Sequence, residues 1–105
     1  MKIHLLTLAH LELVRERPGM FYTDQDLAAL ENQLHGFDAA LSATGALADR
    51  GRFNAVFTSF VTGRTGISGS QGWAAGLLSA YGRTPEAEAQ FWHLLDAFLS
   101  ENGTS

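Results

Sequence analysis

Four histidines and eleven carboxylates are the residues of this 105-residue chain that could bind a metal or move a proton. Glu31 and His35 stand four apart on one predicted helix face, with Asp38 a turn further on. A di-metal helical bundle needs carboxylate and histidine donors converging from several helices, and only one loose copy of such a motif is present. The spacing therefore reads as an exposed polar pair, with no metal and no cofactor. Ser68, Ser70, His93 and Asp96 can be written as a hydrolytic set. Acyl transfer requires the serine on a strained elbow with its base and acid lined up behind it. Ser68 and Ser70 stand where helix caps belong, and capping accounts for both without catalysis. No catalytic residue is assigned, and the chain is read as non-enzymatic.

The segment Gly63-Arg64-Thr65-Gly66-Ile67-Ser68-Gly69-Ser70-Gln71-Gly72 offers different chemistry. Backbone amides of a glycine-rich loop at a helix start, with an arginine nearby, can cradle an anion. The loop lacks the Gly-Lys-Ser/Thr ending of a P-loop and follows a helix instead of a strand, so it reads first as a tight interhelical connection. Met20, Phe21 and Tyr22 form a third constellation, because one helix face cannot bury three consecutive large residues. One of them projects as an interaction anchor, or Tyr22 packs on Leu27 as a hydrophobic staple ahead of Thr23.

The elements that must position these groups are helical. Leu27, Leu30, Leu34, Phe37 and Leu41 repeat at three and four residues, the spacing of one face of a helix. Thr23 and Asp26 open that helix as a capping-box variant, and Gly45 stops it. Before it, Ile3 to Glu16 reads as a helix with Leu6, Ala9 and Leu13 inward, ended by Arg17-Pro18-Gly19. After it come a short helix with Phe53, Phe57, Phe60 and Val61, bounded by Gly51 and Gly63, and one with Trp73, Leu77 and Tyr81. Ser68 and Gln71 are expected to cap the latter as a capping box, and Gly82 to close it. Thr84-Pro85 opens the last helix, striped by Phe91, Leu95, Phe98 and Leu99, with residues 101–105 as a frayed tail. Three valines and two isoleucines in the whole chain leave no strand pattern. The expectation is one all-α domain of four to five helices with short loops.

Composition excludes several function classes. Without cysteine there is no disulfide scaffold, thiolate site or cysteine nucleophile. A formal net charge of −4 opposes a general nucleic-acid binder, which needs a basic face. The apolar run from Ile3 to Leu11 is broken by His4, Thr7 and His10 and does not read as a signal peptide. The uncharged run from Thr65 to Gly82 carries five glycines and three serines, too polar to span a bilayer. A cytoplasmic protein without membrane contact is the expectation.

Two motif resemblances bear on function. Val14 to Phe21, with Asp38-Ala39-Ala40-Leu41 downstream, resembles the N-terminal stretch of DNA gyrase B-type ATPases. That family's helix carries a catalytic glutamate and a magnesium-binding asparagine one turn apart. Here Glu31 and Asn32 are adjacent and the Asp-x-Gly-x-Gly motif is missing, so the ATPase reading is rejected. The second covers almost the whole chain: Arg15 to Phe21, Leu30 to Phe37, Phe57 to Val61, Ser70 to Ala74 and Glu86 to Phe98. In this order they are similar to small uncharacterised bacterial helical proteins, which resemble the immunity components of contact-dependent or polymorphic toxin systems. The resemblance implies a non-enzymatic inhibitor with a protein partner, a cognate toxin. Contacts are then expected from Arg17, Met20 and Phe21 at the turn, and from Asp24, Asp26 and Glu31 on the second helix. Arg64, Ser70, Gln71 and Trp73 around the loop complete the set, with Asp38, Glu86 and Glu88 as further acids. The alternatives are a small-ligand or anion sensor built on loop 63–72, and a homodimeric scaffold protein. If Arg17, Met20, Arg64 and Trp73 cluster at the surface they mark a site; if buried, they mark the fold.

Overall fold

The computed structural model describes residues 4–17, 27–45, 47, 52–82 and 85–102. Its helices are α1 (Leu5–Glu16), α2 (Leu27–Ala43), α3 (Phe53–Thr65), α4 (Trp73–Tyr81) and α5 (Pro85–Asn102), with no strand among the described residues. α2 packs on α1, α3 and α4; α3 and α4 pack on each other and on α5. The all-α expectation holds. A radius of gyration of 12.9 Å equals what a single packed domain of this length should have, about 13 Å.

Glycine closes three of these helices where the chain needs a positive φ that other residues resist. Gly45 (φ 81°) follows α2 and Gly82 (φ 76°) ends α4, as expected. α3 instead runs past Gly63 to Gly66 (φ 77°), whose N–H donates to the Thr62 carbonyl at 2.9 Å. Gly63 is tolerated inside the helix; the Thr65 hydroxyl donates to the Val61 carbonyl and accepts the Ile67 N–H, extending the last turn. α5 likewise continues through Glu101 and Asn102, in place of the expected fraying from 101. The Asn102 amide donates to the Phe98 carbonyl, and Glu101 pairs with Arg64. α1 begins at Leu5 instead of Ile3, because the His4 Nδ1 accepts the Leu6 N–H at 3.0 Å and acts as its cap. The expected Thr23, Gly51, Thr84 and Gly103 boundaries, and the Tyr22 staple, lie outside the described residues.

The core is aromatic. Phe57, fully buried, sits at ring-centroid distances of 5.1 Å from Phe53, 5.5 Å from Trp73 and from Phe91, and 6.0 Å from Phe98. Trp73 and Phe91 stack at 4.6 Å. Most of these contacts are edge-on, the arrangement ring quadrupoles favour. Leu27, Leu30 and Leu34 of α2 and Leu77 of α4 complete this core.

Helix α1 turns a different face inward from the one expected. Thr7, Leu11 and Val14 are buried, whereas Leu6 and Leu13 are 53% and 49% exposed and Ala9 is exposed. Its leucines occur on every side, so the periodicity admits both faces. Thr7 marks the packed face, its hydroxyl reaching a buried acceptor on α2.

Candidate functional site

That acceptor is Asp38, which is 2% exposed. The α2 face that begins with Leu27, Leu30 and Leu34 continues to Asp38, while Phe37 and Leu41 remain partly exposed. The Thr7 hydroxyl donates to one Asp38 oxygen at 3.0 Å, and the Phe53 N–H donates to the other. Arg52, at the N-cap of α3, makes no side-chain capping bond. A carboxylate from another helix therefore caps α3, satisfying an orphan amide and placing negative charge at the positive end of its dipole.

Glu31 does the same for α4, one heptad earlier on α2. Its Oε2 accepts the Ala74 N–H at 3.1 Å, and the Trp73 N–H donates to the Thr58 hydroxyl at 3.1 Å. Gly72 precedes Trp73 at φ 92°, and a Cβ built there would lie 2.7 Å from the Glu31 carboxylate. Asn54 ties the corner together: its Nδ2 donates to the Glu31 carbonyl at 2.9 Å, and its Oδ1 accepts the Trp73 indole N–H at 2.9 Å. Glu31 and Asp38, read from the sequence as surface acids, are thus capping groups. His35 is exposed on the same helix, and among the described residues no three His, Cys, Asp or Glu side chains are placed to hold a metal ion.

The glycine-serine loop is a packing device. A Cβ on Gly69 would meet Thr58 Cγ2 at 2.6 Å and Thr62 Oγ1 at 2.7 Å. One on Gly76 would meet Ile67 Cγ2 and the Ser68 carbonyl, both at 2.8 Å. The predicted Ser68–Gln71 capping box does not form: Ser68 Oγ accepts the Ser70 N–H at 3.4 Å and bonds Ser70 Oγ at 3.2 Å within the loop. Where an anion would sit at the start of α4, the protein has placed its own carboxylate.

The sequence-predicted contact residues therefore separate. Trp73 is 1% exposed and belongs to the core, so it offers a partner no surface. Arg64 is exposed, lies over the Phe60 ring at 5.5 Å and pairs with Glu101. Ser70 and Gln71 are exposed in the loop. Arg17 is exposed at the end of α1, its backbone N–H donating to the Leu13 carbonyl. Met20, Phe21, Asp24 and Asp26 lie outside the described residues. Arg17 and Trp73 differ in burial, so the expected four-residue cluster does not form one surface.

Sequence reasoning missed two other features. One is the tertiary capping by Asp38 and Glu31; its signal is the pair of helix starts, Arg52-Phe53 and Gly72-Trp73, that lack a local capping side chain. The other is the outer face of α1, where Leu5 (56% exposed), Leu6 and Leu13 stand in solvent. Leu6, Ala9 and Leu13, at spacings of three and four, form one aliphatic row with the exposed Glu12 and Glu16 beside it. No helix of the described residues is long and apolar enough to cross a membrane. No protein-family model, curated protein or solved structure matches the chain significantly.

Proposed function

We propose that this chain is a non-enzymatic protein-binding module, an immunity-type inhibitor of a bacterial toxin, that contacts its partner through the outer face of α1. The observation that carries this reading is the row Leu6, Ala9 and Leu13, with Leu5 beside it, standing in solvent on a helix whose inner face buries Thr7, Leu11 and Val14. Such a row is the form in which a helix presents apolar anchors to a partner. The excess of acids supports the same reading. Toxins that act on nucleic acids carry basic surfaces, and an acidic inhibitor is steered to them. Inhibition by covering a site needs contact area and anchors, and no catalytic group of its own. The sensor alternative fares less well, since the first amides of α4 already bond Thr58 and Glu31.

Co-expression tests the proposal. Cells producing the toxic product of the adjacent gene should grow when this protein is present, and stop growing when it carries Leu6→Glu and Leu13→Glu together. Failure of the unaltered protein to restore growth overturns the inhibitor reading. Self-association in light scattering, abolished by Leu13→Glu, would assign the face to a homodimer instead.

A further inference from the structure

Beside the leucine row, a cleft of about 130 Å³ opens between α1 and α5. Leu11 and Leu95, both buried, make its floor; Leu8, Leu99 and the Trp92 ring make its walls. An engineered apolar cavity of about 150 Å³ holds a benzene molecule, so this cleft is the size of one large apolar side chain.

Its lip is charged and unevenly satisfied. The Arg15 guanidinium lies over the Trp92 ring at 4.6 Å, donates to the Trp92 carbonyl at 3.2 Å and pairs with Asp96 at 2.9 Å. The one cation of the lip is thereby engaged. Glu12, also at the lip, makes no ion pair among the described residues, and neither does Glu16 one turn further along α1. The mouth thus carries more negative charge than positive, on a chain that is itself acidic.

We propose that the cleft receives one large apolar side chain, leucine or an aromatic, from a basic segment of the partner protein, whose neighbouring lysine or arginine pairs with Glu12. This rests on the protein-binding reading above and specifies the partner's chemistry. An apolar anchor seated in a pocket is the usual centre of a binding hot spot, and complementary charge beside it steers and orients the partner. The two halves of the surface are continuous, since Glu12 lies on α1 between the cleft-lining Leu8 and Leu11 and the outward row of Leu6, Ala9 and Leu13.

The test is an NMR titration of the isotope-labelled full chain with three short capped peptides: leucine–lysine, leucine–glutamate and serine–lysine. The leucine–lysine peptide should saturably shift the Trp92 indole N–H and the amides of Leu8 and Leu11, and the other two should not. Glu12→Lys, an exposed change that leaves the fold intact, should weaken that binding about tenfold. Equal binding of the leucine–glutamate or serine–lysine peptide, no binding of any peptide, or shifts confined to Leu6 and Leu13 each overturn the cleft assignment. So does indifference to Glu12→Lys. None of these outcomes bears on the growth assay, in which the inhibitor reading stands or falls separately.

Discussion

The carboxylates of α2 and those of α1 have the same chemistry and opposite employment. Glu31 and Asp38 point into the molecule and hold the first amides of α4 and α3. Glu12 and Glu16 point outward, bond to nothing described, and border exposed leucines. An acid on a helix is a structural cap or a partner contact according to what faces it, and residue type alone does not say which. The two α2 acids are satisfied within the molecule; the two α1 acids form no ion pair among the described residues and stand beside exposed leucines.

Asp38→Ala should give the largest effect that separates the two regions. It removes a buried acceptor from the Thr7 hydroxyl and from the first amide of α3, leaving both donors buried without a partner. Loss of about 3 kcal/mol is expected, read as a lower urea midpoint at unchanged slope. Glu12→Ala, the matched change on α1, should stay within about 0.5 kcal/mol. Equal losses at the two sites would erase the distinction between capping and free carboxylates.

Gly72→Ala probes the same side from the backbone. The residue sits at φ 92°, and its Cβ would press on the Glu31 carboxylate. Strain at a positive φ with extended ψ, a conformation nearly exclusive to glycine, and displacement of the cap together should cost about 2 kcal/mol. Gly63→Ala, in open space inside α3, should stabilise slightly because alanine is the better helix former. Thermal melts of the two variants, moving in opposite directions, check the assignment.

The parts of this molecule that were legible in advance are those fixed by neighbours in sequence. The apolar spacing from Leu27 to Leu34, Gly45 and Gly82 as stops, and Pro85 as the first residue of its helix all depend on local geometry. Tertiary choices were not legible. Asp38 continues a buried register that periodicity assigned to Phe37 and Leu41, because its cost of burial is met by Thr7 and Phe53, residues 31 and 15 positions away. Ser68 looked like a cap because it precedes α4 at the right distance, yet Glu31 occupies that role from another helix. On α1 the leucines occur on all sides, and the face that packs is marked by contacts distant in sequence, the Thr7–Asp38 bond and the Arg15–Asp96 pair.

The smallest expected effect matters most for function. Leu13→Ser removes apolar surface that is already half in water, so its stability change should stay within about 0.5 kcal/mol. Leu11→Ala, two residues earlier and 1% exposed, deletes packed methyl groups at the floor of a cleft and should cost about 2 kcal/mol. A helix whose only task was to cover the core would be free to carry polar residues at 6, 9 and 13, and serine there would be silent in every assay. If Leu13→Ser leaves the melting temperature unchanged yet weakens the partner contact, the leucine's apolar surface acts in binding and not in folding. If Leu13→Ser destabilises as much as Leu11→Ala, the outer face of α1 is packed in solution and the surface assigned to the partner is part of the core.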